Sequence, residues 1–399
     1  METTPNLKRI YDSVLREHLF GKRSIAFLCG PRQCGKTTLV KAFSNRHFAW
    51  DGPQGRRLAT GGVDALAEAC GLTGLPGRRE IVAFDGVPKV PRWEALLSDF
   101  FDRYGPRVHL IATGNIRPDF PPDPAPQRFR PYRMHPLGVA ELARPELVLR
   151  EIHFPRPIPD ADWEALWTHG GFPEPFLRRD RRFTARWRRL RREQLFSNDL
   201  RALSRVTDLD GIRLLHEHLR KHPGEPVVAA PLAREFGVAE TTVAAWTAAL
   251  ERFFEGFLVR PWSQGVPNAI KKAPKWYPAD WSEVAGDDKR FEALVAAHLL
   301  KAVHLWTDLG LGRYELHYVR NKAGVGIDFL VSKNGAPWFL AETAIGGTTP
   351  SDALPVLQKA TGAPHAFRIV RDLPYAVSDA FSSPTPAPVS ARSFLSQLF

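Results

Sequence analysis

The stretch Gly30-Pro31-Arg32-Gln33-Cys34-Gly35-Lys36-Thr37 restricts the folds open to this chain more than any other feature. It follows a short apolar run, Ile25 to Cys29, that suits a buried parallel strand, and it opens a segment of helical period after Thr38. Strand, glycine loop and helix in that order gather backbone N–H groups, a helix N-terminus and one ammonium around an anion. The G-x-x-x-x-G-K-T spacing predicts a loop that holds the phosphates of a nucleoside triphosphate. Gly30, Gly35, Lys36, Thr37 and Thr38 are the expected cofactor-binding residues, with Lys36 on the β- and γ-phosphates and Thr37 on magnesium.

Two further apolar runs end at polar residues. Ile81-Val82-Ala83-Phe84 ends at Asp85, and Val108-His109-Leu110-Ile111-Ala112 ends at Thr113-Gly114-Asn115. Between them Trp93, Leu96, Leu97, Phe100 and Phe101 keep a helical period, so strand and helix patterns alternate. The fold class expected is α/β, with a parallel sheet and crossover helices. Asp85 is the expected magnesium-side acceptor. The residue after it is Gly86, where many NTPases carry the glutamate that polarises the attacking water. Loss of a general base costs about 10²–10⁴-fold in rate, so binding should survive and hydrolysis should be slow. Glu80 belongs at the other end of the strand. Asn115 either senses the γ-phosphate and its water or simply caps the strand.

The rest of the chain changes character several times. Residues 1–20 show an amphipathic pattern through Leu7, Ile10, Val14 and Leu15. The Pro-rich residues 116–131 are expected to be loop, and 143–160 to mark a boundary. Residues 161–205 are helical in pattern and basic, with nine arginines between Arg178 and Arg192. Phe183, Trp187 and Leu190 would form one apolar face. The guanidinium face either contacts a phosphate backbone or is a solvated back. Residues 211–260 give three helical segments with Gly237-Val238 as a turn, the layout of a helix-turn-helix used for DNA or for packing. A helix over 291–300 and strands at 314–320, 326–332 and 337–343 suggest a further α/β unit. Residues 383–391, rich in Ser, Pro and Ala, suggest a flexible stretch.

A length of 399 residues implies about two to four domains. The expected division is 1–150 for the phosphate-loop domain, 151–205 for an Arg-rich helical lid, 206–262 for a winged helix-turn-helix and 263–399 for the C-terminal unit. A formal net charge of +12 suits a polyanionic partner such as DNA, or an Arg-rich surface without one. The three cysteines Cys29, Cys34 and Cys70 have no metal-ligand spacing, and no apolar run reaches a membrane span. A cytoplasmic, membrane-free protein is the expectation.

Beyond these separate features, GPRQCGKTTL, FDGVPKVPRWEALL, IATGN, RFRPYRMHPLGVAEL, GGFPEP, NDL, KAPKWYPAD and VGIDFLV with WFLAET run in order over residues 24–344. This set resembles the archaeal-type AAA+ ATPases of bacteria and archaea, which join a P-loop domain, a winged helix and a restriction-endonuclease-like C-terminal domain. The resemblance implies ATP and Mg²⁺ as cofactors. It makes Gly30, Gly35, Lys36 and Thr37 the Walker A residues, Asp85 the Walker B aspartate and Asn115 the sensor. Arg128 becomes a candidate arginine finger, in cis or towards a neighbouring subunit, and assembly with copies of itself or a partner protein is implied. Lys275 and Asp280 match an element that opens the C-terminal domain. There Asp328 and Glu342, with Glu292, match the metal-binding acids of a nuclease. The nuclease lysine is replaced by Ala344, so cleavage would need Lys322 or Lys333 to reach in.

Three functions fit this sequence. One is an ATP-binding, DNA-associated switch with slow or lost hydrolysis and an inactive nuclease-like domain. The second is an ATP-gated DNA nuclease with a displaced lysine. The third is a structural interaction protein.

Overall fold

The computed structural model describes residues 7–74, 78–118, 120, 128–201, 206, 208–266, 273–322, 324–382 and 385–399. Residues 1–6 of the expected first helix, 119 and 121–127 of the expected Pro-rich loop, 202–205 of the expected basic region and 383–384 of the expected flexible stretch lie outside these. The chain forms two compact units. The first comprises Met1–Pro136, Glu193–Arg205 and Arg252–Phe254, and the second comprises Leu137–Arg192, Val206–Glu251 and Glu255–Phe399.

In the first unit five strands, β1 (Ile25–Cys29), β2 (Arg46–Ala49), β3 (Glu80–Asp85), β4 (Val108–Gly114) and β5 (Phe129–Arg133), form a parallel sheet in the order β2-β3-β4-β1-β5. The helices are α1 (Ile10–Gly21), α2 (Lys36–Phe43), α3 (Pro53–Thr60), α4 (Gly62–Ala69) and α5 (Trp93–Tyr104). Every residue of β1 is buried, as expected for an apolar run covered on both faces. Phe27 stacks on Trp93 of α5 at 5.1 Å, and Phe84 meets Phe100 of the same helix at 5.9 Å. Cys29 pairs with Gly114 and Ala49 with Asp85, so the carboxyl ends of β1, β4, β3 and β2 line up along one edge. Ligands of open parallel sheets bind at that edge.

Two elements differ from expectation here. The loop expected over 116–131 ends early, because Phe129 begins β5. Its buried ring packs on Trp93 and Phe120, and its strand covers the edge of β1. Strand β2 has no apolar run to announce it: at the sheet's edge, its two middle residues are half-buried and its two ends exposed.

The second unit contains α6 (Val139–Ala143), α7 (Asp160–His169), α8 (Pro173–Arg178) and α9 (Arg181–Gln194, which leaves this unit after Arg192). Next come α10 (Leu209–Lys221), α11 (Ala229–Phe236), α12 (Glu240–Arg252) and the antiparallel pair β6 (Gly256–Pro261) and β7 (Lys275–Pro278). The long helix α13 (Asp287–Leu309) precedes β8 (Tyr314–Arg320), β9 (Gly326–Lys333), β10 (Ala336–Ala344), α14 (Ala353–Thr361), β11 (His365–Val370), β12 (Ala387–Ser390) and α15 (Ala391–Gln397). Seven strands make a mixed sheet, β12-β11-β10-β9-β8-β6-β7.

The Ser/Pro/Ala-rich segment expected to be flexible instead supplies β12, paired in parallel with β11 from Phe367↔Ala387 to Val370↔Ser390. In α9 the inward row is Thr184, Trp187 and Arg191 rather than Phe183, Trp187 and Leu190. Trp187 meets Phe172 at 5.0 Å. Spacing of i, i+3 and i+7 puts Arg191 on that face and turns Leu190 out to 41 % exposure. The buried Arg191 guanidinium is matched by Glu255, with bonds of 2.7 and 3.2 Å.

Candidate functional site

The carboxyl edge of the first sheet carries the loop from Gly30 to Gly35. Gly30 leaves β1 beside the chain after β5, where an added Cβ would lie 2.1 Å from the Met134 carbonyl oxygen, so only glycine fits. Gln33 and Gly35 have φ of 61° and 100°. These left-handed residues curl the loop so that successive amides can converge on an anion. Gly35 precedes α2 and has no side chain to close over the amides of Lys36, Thr37 and Thr38. These amides are the unsatisfied donors of a helix N-terminus. The Lys36 ammonium lies across the loop, donating to the carbonyl oxygens of Gly30 at 2.8 Å and Pro31 at 2.6 Å.

Asp85, at the end of β3, accepts from both sides. The Thr37 hydroxyl donates to its Oδ2 at 2.6 Å, and the Thr113 hydroxyl donates to its Oδ1. Thr113 also accepts from the Gly86 amide at 3.2 Å, and His47 Nε2 of β2 lies 3.5 Å from Asp85 Oδ2. A hydroxyl and a carboxylate in contact beside a lysine and a ring of free amides suit a triphosphate with a hard divalent cation. Asn115 follows β4 directly, between β3 and β1, and its side chain has no hydrogen-bond partner among the described residues. That position suits the sensor role.

Arg128 stands elsewhere. It precedes β5, whose first residue pairs with Ile25, so it sits at the amino end of β1, while Gly30 follows the carboxyl end. Five strand residues separate those levels, about 16 Å. Its guanidinium bonds Asp102 at 2.9 Å. The cis finger expected at Arg128 is therefore corrected: it faces the opposite edge of the sheet.

Several neighbours of the loop gave no sequence signal. Arg32 donates to both carboxylate oxygens of Asp199, at 2.6 Å for Nη2 to Oδ1. Asp199 lies in a π-helical segment, Leu195–Leu200, directly after α9. Such widened turns are frequent at functional sites. Asp51, just past β2, lies beside Gly86 and 3.8 Å from Lys89. These approaches come from strand pairing and helix packing, which no local motif encodes.

Residues 22–143 match an AAA domain. The match spans the whole loop, Asp85, Thr113 and Asn115, and supports nucleotide binding by an AAA-type ATPase with a P-loop NTPase-like sheet. Residues 160–284 match a domain of unknown function, DUF8612. The chain is also similar to the uncharacterized proteins Rv2008c of Mycobacterium tuberculosis and Mb2031c of Mycobacterium bovis. Each is 24% identical over 327 residues, covering 79% of this chain and 69% of the relative. No helix among the described residues is long and apolar enough to cross a membrane.

The second unit places the acids expected to form a nuclease centre. Asp328 accepts from the Thr343 amide and hydroxyl, both at 2.8 Å. Burial, and then the neighbouring Glu292, raise its pKa above the usual carboxylate range. Glu292 accepts from Tyr277 at 2.6 Å and pairs with Lys275 at 3.4 Å. Glu342 instead bonds Arg368 at 2.9 Å and Ser351. Asp328 and Glu342 are thus engaged by different neighbours. Arg368 supplies a positive charge at Glu342. Lys333 bonds Glu151 at 2.6 Å and does not reach Asp328, while Lys322 is exposed in the β8–β9 turn. Asp280 accepts from Arg188 at 3.2 Å.

Proposed function

We propose that this protein is an ATP-binding AAA+ switch in which nucleotide at the Gly30–Thr38 loop changes how a basic surface grips DNA. The carrying observation is the convergence of Lys36, Thr37, Asp85 and Thr113 at one sheet edge. Magnesium, when bound, would neutralise charge on the β- and γ-phosphates. Thr37 and Asp85 would hold it, Lys36 would leave the loop carbonyls for the phosphates, and Asn115 would face the γ-phosphate. With Gly86 after Asp85, that position itself offers no carboxylate to the attacking water.

Coupling to the rest of the chain runs through Arg32. Its partner Asp199 lies in the segment that continues α9, so a phosphate competing for Arg32 alters the base of the Arg-rich helix. Arg181, Arg182 and Arg186 of α9 are exposed. By contrast Arg188, Arg191 and Arg192 are taken up by Asp280, Glu255 and Glu283. The three helices α10–α12 followed by the β6–β7 pair support a winged helix as a second contact. The α13, β8–β10, α14, β11 order supports a restriction-endonuclease-like unit that serves as scaffold.

Fluorescence anisotropy of a duplex oligonucleotide tests the reading. Affinity should fall steeply with salt and drop at least about tenfold when Arg181, Arg182 and Arg186 are all replaced by Glu. Mg-ATP should shift it in the wild type and not in Lys36→Ala. Affinity indifferent to both changes would remove DNA association.

A further inference from the structure

We infer that Asp51 is the general base for ATP hydrolysis, supplied from the neighbouring strand in place of the side chain missing at Gly86. This rests on the nucleotide-binding reading of the same edge.

Gly86 has a φ of 76°, a left-handed conformation in which a glutamate would be strained. The space there is open: a Cβ built on Gly86 meets only the Cβ and amide of Asp51, at 3.7 and 3.8 Å. The juxtaposition follows from the sheet. Ala49 pairs with Asp85 and the Trp50 amide donates to the Asp85 carbonyl at 2.8 Å, so the next residue of the β2 chain falls alongside the next residue of the β3 chain. A carboxylate one strand over therefore occupies the neighbourhood that a glutamate at position 86 would fill.

Asp51 is also free to act. Its side chain is 55 % exposed, and its ion-pair neighbour, Lys89, stands at 3.8 Å, beyond hydrogen-bond reach. Its negative charge is felt at Arg32 of the phosphate loop, where Asp199 and then Asp51 help retain the guanidinium proton. The other candidate base on β2, His47, faces Asp85 itself and so lies on the cation side.

In the step, a water oxygen forms a bond to the γ-phosphorus as the bond from that phosphorus to the β–γ bridging oxygen breaks. The bond pair leaves with ADP. Asp51 accepts the water proton and later passes it to solvent.

The test uses the full chain with Mg-ATP, reading phosphate release under single-turnover conditions and, separately, the thermal shift on binding. Asp51→Asn should keep the wild-type thermal shift, lose about 10²-fold or more in turnover, and retain ATP instead of ADP after incubation. Asp51→Glu should recover part of the rate. Wild-type turnover in Asp51→Asn overturns the assignment, as does loss of turnover in His47→Gln without loss in Asp51→Asn. A wild type that binds ATP without any hydrolysis also overturns it while leaving nucleotide binding intact. Absence of a wild-type thermal shift removes the nucleotide reading itself, and the base with it.

Discussion

Arg32 of the phosphate loop and Asp199 of the π-helical segment form a two-point ion pair, with the aspartate side chain only 2 % exposed. The pair raises the guanidinium pKa, chiefly through the hydrogen bond to Asp199, so Arg32 stays charged throughout the working range. A planar fork gripping both carboxylate oxygens is the strongest form of such a bond. It ties the loop that meets phosphate to a segment far along the chain.

Replacing Asp199 by Asn should leave Arg32 with its charge uncompensated beside the triphosphate. ATP affinity is expected to rise about three- to tenfold, roughly 0.7–1.4 kcal/mol, while the nucleotide-free protein melts lower. Titration of a fluorescent ATP analogue gives the first quantity and a thermal melt the second. Unchanged values for both would mean that the pair neither restrains Arg32 nor supports the fold.

Glu255 should prove structural. It accepts from the buried Arg191, and His216 stands 3.6 Å away. Burial pushes its pKa up, but Arg191 and His216 outweigh this and hold it below the ordinary value. Glu255→Ala would leave Arg191 buried without its partner, at a cost of about 3–5 kcal/mol. Urea unfolding followed by tryptophan fluorescence should show that loss, and Arg191→Met with Glu255→Leu should restore most of it.

These two pairs show what local pattern conveys and what it does not. β1, β3 and β4 were legible because each is a short apolar run, β1 leading into the glycine loop and β3 and β4 ending near polar residues at the sheet edge. The loop was legible because its chemistry needs contiguous residues. β2 and β12 were not: edge strands need only one apolar face, and Arg46–Ala49 and Ala387–Ser390 carry little of that signal. Arg191 looked like part of a charged back because the sequence does not show Glu255 waiting across the helix. Asp51 and Asp199 approach the loop only through strand pairing and packing. Arg128 lies near β5 in sequence, but parallel pairing puts the start of that strand at the wrong edge.

Acid should weaken the second unit through His298. Its Nδ1–H donates to the Leu294 carbonyl at 2.7 Å and its Nε2 accepts from the Val139 amide at 3.1 Å, so a second ring proton would face an N–H. Burial lowers its pKa to about 4. A histidine with a depressed folded pKa contributes stability present above the unfolded value near 6.5 and lost as pH falls towards 4. The limit is about 3 kcal/mol. Melting temperature should fall between pH 7 and 5, and His298→Gln should flatten that fall. An unchanged slope in the variant would assign the pH dependence to other groups.

Nucleotide binding is tested most directly by calorimetric titration of ATP with Mg²⁺ into the wild type and Lys36→Ala. The expected result is a saturable isotherm for the wild type that disappears with Mg²⁺ chelated and weakens at least about a hundredfold in the variant, some 2.7 kcal/mol of lost ammonium–phosphate contact. Absence of binding in the wild type, or equal binding in Lys36→Ala, would contradict a phosphate-holding loop at Gly30–Thr38.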